Sequence, residues 1–164
     1  MSRPGGLRLW VALGALVMLH FALRPALGDN RYAPDFVLVA LVLYAMNSRP
    51  GVAAVAGFVV GVVHDATAPT AFGAAALAHT LAAYLASWTH TVFVADNVLV
   101  TAAFVAGAAW LRDVVQALAA NQLAGSALLW QLSTWSVLAA AATAVAALVL
   151  LLAVRGWVLP RSLR

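Results

Sequence analysis

The chain has 164 residues, 65% of them apolar, and its only charged side chains are nine Arg and five Asp, for a net charge of +4. A soluble domain of this size needs a charged surface that this composition cannot supply, so the sequence reads as an integral membrane protein. The absence of cysteine excludes disulfides and thiolate metal sites. The positive balance does not indicate nucleic acid, because the Arg residues sit in short loops and tails, where they orient membrane proteins. Arg without Lys, Asp without Glu and abundant Ala fit the codon usage of a GC-rich bacterial genome.

A membrane-crossing helix needs about 20 apolar residues. The first predicted helix runs from about Leu7 to Leu23, where Arg24-Pro25 ends it ahead of a loop through Gly28, Asp29, Asn30 and Arg31. Arg3 and Arg8 before an apolar run also resemble a signal peptide, but no small-x-small cleavage site follows. The second stretch, Ala33 to Met46, is short and is closed by the breaker sequence Asn47-Ser48-Arg49-Pro50-Gly51. A third short stretch, Val52 to about His64, completes a helical hairpin and ends at Asp65, before a loop containing Pro69. The fourth, fifth and sixth helices are expected over about Gly73–Val94, Asn97–Leu118 and Leu128–Val154.

With the N-terminus cytoplasmic, the inner side carries Arg3, Arg8, Arg49, Arg155, Arg161 and Arg164, and the outer side only Arg24 and Arg31. The positive-inside rule therefore predicts six spans with both termini cytoplasmic. Trp10, Trp88 and Trp157 then fall at the inner interface and Trp130 at the outer one. Within the third helix, Ala53, Gly57 and Gly61 recur every four residues and form a small-residue face on which another helix can pack closely.

The polar residues concentrate at the predicted outer side. Asp35 and Asp65 each lie fifteen residues from Pro50, which places both carboxylates at one level. His20, His64, His79, Arg112, Asp113, Gln116, Asn121, Gln122, Gln131, Ser133, Thr134 and Ser136 fall in the same outer part, whereas the inner halves of the long helices are Ala, Val and Leu. Charges at that depth normally face the bundle interior or a water-filled cavity. The expectation is an outward polar pocket with Arg112 at its centre and Asp35 or Asp65 as its partner. Asp113, one residue on and about 100° around the helix, is not expected to face the same point as Arg112. Three uses stay open: structural ion pairs, a surface for another membrane protein, or a ligand site.

Catalytic patterns are missing. The lack of Glu removes HExxH zincins, and there is no Gly-x-Ser-x-Gly elbow or phosphate-binding loop. His20, His64, Asp65 and His79 carry ligand chemistry suited to zinc, but no pair has i,i+4 spacing. No enzymatic activity, metal or cofactor is predicted.

The stretch from Pro34 to Leu85 carries a further pattern: Pro34-Asp35-Phe36, an apolar run to Tyr44, Arg49-Pro50, Gly57-Phe58-Val59-Val60-Gly61-Val62-Val63-His64-Asp65, Phe72-Gly73, and Leu77-Ala78-His79 through Tyr84-Leu85. It resembles the rod-shape-determining protein MreD family, whose members show a Pro-Asp pair opening the second helix, a Gly-Phe-x-x-Gly-x-x-x-Asp helix and a Leu-Gly turn into a helix ending near Gly-Tyr-Leu. His64 stands where an apolar residue is usual and Ala83 where Gly is usual. The second half of the chain is similar to the family in hydropathy alone.

The resemblance implies a non-enzymatic component of the bacterial elongation machinery in the cytoplasmic (inner) membrane. Its implied partners are MreC, the MreB filament, the glycosyltransferase RodA and a penicillin-binding protein, acting on rod shape and sidewall peptidoglycan. The helix arrangement of the family is also similar to substrate-binding subunits of energy-coupling-factor transporters. That likeness supplies the alternative, a vitamin-type substrate-binding subunit that docks through the Ala53, Gly57 and Gly61 face.

Overall fold

A short apolar run becomes the centre of the fold. In a computed structural model, which describes residues 5–27, 33–67, 71–92, 98–120 and 125–158, helix α2 (Phe36–Met46) is only 11 residues long and buries eight of them. Its sequence, FVLVALVLYAM, is apolar on every side, and a helix with no polar face is stable only when surrounded. The surrounding helices are α1 (Gly5–Leu27), α3 (Pro50–Thr67), α4 (Ala74–Val92), α5 (Val98–Ala120) and a last long helix. The last helix comprises α6 (Ser126–Trp130), a π-helical turn at Gln131–Trp135, and α7 (Ser136–Val158). All described elements are helical, and α2 touches α1, α3, α4, α5 and α7.

The helix ends follow local chemistry. α2 starts three residues later than the hydropathy predicts, because Ala33 and Pro34 precede the helix and Asp35, with an extended backbone, is the N-cap, its Oδ1 accepting from the Leu38 amide at 3.0 Å. α3 begins at Pro50, a favoured first helical position, and continues past Asp65 to Thr67. It is five residues longer than the expected Val52–His64 stretch: its 18 residues span about 27 Å. α1 likewise runs through Arg24-Pro25 to Leu27; a proline in the final turn removes its own donor without ending the helix. The expected ends of the fourth and fifth helices at Val94 and Asn97 lie outside the described residues, as do Gly28–Arg31, Pro69, Asn121, Gln122 and the charged termini. The side chains of Arg8, Trp10, Arg24, Arg155 and Trp157 are likewise outside them.

The bundle is held by small residues inside and large ones outside. Its core is dominated by alanine, including Ala45, Ala53, Ala75, Ala78, Ala83 and Ala147, each fully covered. Small side chains let helix backbones approach closely, which is how helices associate where no hydrophobic effect drives them. Outward lie Val55, Phe58, Val59 and Val63 on α3, Met18 and Phe21 on α1, and Val145, Val149 and Leu152 on α7, all exposed. So much outward apolar surface is incompatible with water and suits lipid. Two helical stretches, Val98–Ala119 and Ser126–Ala153, are long and apolar enough to cross a membrane. Trp88 and Trp130, near opposite ends of the bundle, are both exposed, as interfacial anchors are.

Candidate functional site: a buried polar network

At one end of the bundle α1, α3 and α5 finish while α2 and α4 begin. α2 starts below that end. Its cap Asp35 sits at the level of His20, seven residues short of the α1 terminus, and of Arg112, eight residues short of the α5 terminus. At 1.5 Å per residue the α2 N-terminus lies about 10–12 Å inside the bundle. A helix terminus buried that deep must satisfy its free amides with protein groups.

Asp35 and its neighbours meet that need. The Asp35 residue is 6% exposed. Its Oδ1 accepts from the Leu38 amide and lies 3.5 Å from His20 Nδ1, while its Oδ2 takes the Arg112 guanidinium. Its own amide donates to Thr143 Oγ1 at 3.3 Å, and that hydroxyl donates in turn to Ala139 O at 2.8 Å. One residue thus ties together α1, α2, α5 and α7. Thr143 is 1% exposed; its sequence signal is a lone hydroxyl within the apolar run AAAATAVAA, and residue-by-residue reading passed over it.

Arg112 and Asp113 do share a point. The guanidinium donates to Asp113 Oδ1 through Nε at 3.1 Å and through a terminal nitrogen at 2.7 Å, while its other terminal nitrogen reaches Asp35. The 100° separation around the helix is bridged because the long arginine side chain carries its planar donor fork back across its neighbour. Asp65, the other candidate partner for Arg112, is committed elsewhere. Its carboxylate, 3% exposed, accepts from the amides of Gly73 (3.0 Å), Ala75 (3.1 Å) and Ala76 (2.9 Å). It therefore caps the N-terminus of α4 from the end of α3, offering negative charge to the positive end of the helix dipole. Gly73 makes that turn possible, with a φ of +96° that a side chain would strain.

His79 is also inside, 1% exposed, with Nδ1 2.8 Å from Ala75 O. Its ring lies against that of His64, centroids 5.5 Å apart. The polar groups named here are thus turned toward one another and toward helix amides. Among the described residues, no group of three or more His, Cys, Asp or Glu is arranged to hold a metal ion. One cavity of about 150 Å³ lies between α4 and α5 and is lined by apolar residues such as Ala86, Phe104 and Gly107.

The small-residue face of α3 is occupied within the chain. A Cβ built on Gly57 would stand 2.4 Å from His79 O, and one on Gly61 would stand 2.4 Å from Ala76 Cα. Ala53 on the same face is fully buried. Ala83 packs opposite Gly57. The face is thus covered by α4 and does not form a docking surface for another protein.

At the other end of the bundle, Ser87 on α4 donates to Ser48 O at 2.6 Å and fixes the α2–α3 turn. Near the π-helical turn, Trp110 Nε1 donates to Leu132 O at 3.2 Å.

Fold and site together define a helical membrane protein whose buried charges join its helices to one another. The chain belongs to the MreD family: the model described as rod shape-determining protein MreD matches residues 7–158. It is therefore a component of the apparatus that determines rod shape. No curated protein and no solved structure matches the chain.

Proposed function

We propose that this chain is a non-enzymatic scaffold of the bacterial elongation machinery, crossing the cytoplasmic membrane six times with both termini inside. In this reading it binds MreC, assembles with MreB, RodA and a penicillin-binding protein, and so supports sidewall peptidoglycan synthesis. The observation that carries the reading is the family match over residues 7–158. The internal use of the charged groups is in keeping with it. Asp35, Asp65, Arg112 and Asp113 bond to helix termini and to each other, as a rigid membrane platform requires, and Arg residues at the predicted inner side orient the chain.

The transporter-subunit alternative calls for a small-residue docking face; Ala53, Gly57 and Gly61 could have supplied it, but α4 packs over that face. The test is co-expression with the MreC-like protein of the same cell, followed by affinity purification in mild detergent and mass spectrometry of both proteins and small molecules. The expected result is a complex of the two membrane proteins with no co-eluting metabolite. Recovery of the folded chain without the partner, or with a stoichiometric small molecule, would sink the scaffold reading.

A further inference from the structure

The charges around Asp35 do not balance. Among the described residues, Arg112 brings one positive charge to two carboxylates, the buried Asp35 and the partly exposed Asp113, which leaves one negative charge in excess in this cluster. An uncompensated charge is costly in a protein interior and more so at bilayer depth. Asp65 cannot share the Arg112 charge, since both its oxygens are engaged by the amides that begin α4.

Among the described residues, the groups able to supply the missing positive charge are few. α7 offers the Thr143 hydroxyl, which does not ionise in this range. α4 offers His79, but that ring is 1% exposed and Arg112 is among its electrostatic neighbours. α3 offers His64, whose ring is tilted by 40° against that of His79 and which is an electrostatic neighbour of Asp65. Tyr44 of α2 belongs to the opposite end of the bundle. α1 offers His20, and His20 Nδ1 lies 3.5 Å from Asp35 Oδ1 with the side chain 12% exposed.

The geometry points to a proton-binding site at His20, where the imidazolium form completes the alternating chain Asp113–Arg112–Asp35–His20. Two anions and two cations then alternate across α5, α2 and α1, and the network is neutral as a whole. The proton has a mechanical consequence. α1 packs mainly on α2 and touches α7 only slightly, and much of its surface, including Val11, Met18 and Phe21, is exposed. The His20–Asp35 pair is a charged link from this peripheral helix to the bundle centre, so proton loss loosens the seating of α1. This inference does not depend on which protein the chain binds.

The test uses the full chain in lipid nanodiscs with ¹⁵N-labelled histidine. Four histidines are present, and His20→Gln, or elimination through substitutions of the other three, assigns the signal. At pH 7 the wild-type His20 ring is expected to show two protonated nitrogens. In Asp113→Asn it is expected to be neutral, although residue 113 reaches residue 20 only through Arg112 and Asp35. A second measurement follows resistance to SDS unfolding between pH 6 and 9. Wild type should lose resistance as the pH rises, while His20→Arg, with a permanent charge, should stay level. A neutral His20 in wild type at pH 7, or an imidazolium unaffected by Asp113→Asn, overturns the proposal. So does a wild-type pH response that His20→Arg retains.

Discussion

Replacing Gly61 by alanine tests how the two central features of the α3–α4 pair depend on each other. The added Cβ would lie 2.4 Å from Ala76 Cα, 2.5 Å from Ala75 O and 2.7 Å from Ala76 N. All three atoms are α4 backbone, so no side-chain rotation relieves the overlap. Restoring an ordinary contact of about 3.5 Å requires α4 to retreat by about 1 Å. That same turn of α4 donates to Asp65 from Gly73, Ala75 and Ala76 at 2.9–3.1 Å, and a 1 Å retreat stretches these bonds beyond good geometry. Overpacking costs about 1–3 kcal/mol, and weakening hydrogen bonds to a charged group adds about 1.5 kcal/mol or more. Alanine's better helix propensity returns less than about 1 kcal/mol, so the net loss is about 3 kcal/mol.

Reversible unfolding in mixed micelles with rising SDS, followed by the fluorescence of the six tryptophans, measures that loss. Gly107→Ala on α5 is the control, because nothing lies within 4 Å of a Cβ there; it should be neutral or slightly stabilising. In an Asp65→Asn background the Gly61→Ala penalty should shrink, since the bonds it strains are already weakened. The reasoning fails if Gly61→Ala matches wild type, if it costs no more than Gly107→Ala, or if the two α3 changes add independently.

Two further substitutions probe the Asp35 network by the same unfolding measurement. Arg112→Met should cost about 3 kcal/mol by leaving the Asp35 carboxylate buried without its cation, and adding Asp35→Asn should recover part of the loss; a double variant as unstable as the sum of both singles argues against the pairing. Thr143→Val keeps the side-chain shape but leaves the Asp35 amide without its acceptor, and should cost about 1 kcal/mol; an unchanged unfolding midpoint argues against that bond.

The all-helical class and the approximate helix positions were legible in the sequence, because apolar runs separated by Asn-Ser-Arg-Pro-Gly, Asp-Asn and Gly-Ser punctuation leave few other ways to satisfy a backbone in lipid. The concentration of polar residues toward one end was legible too, since depth follows from counting residues along a helix. What counting cannot give is azimuth and reach. It left Asp35 and Asp65 equivalent as partners of Arg112, and it separated Arg112 from Asp113. The tertiary structure decided both matters: Asp65 falls beside the first turn of α4, whose free amides it caps, and Arg112 is long enough to join Asp113 to Asp35. The central position of α2 was also beyond sequence reading. Its short length suggested a marginal span, but an apolar helix whose buried N-terminus is capped by Asp35 and tied through it to three other helices is stable only at the middle of a bundle, and that place is created by the helices around it.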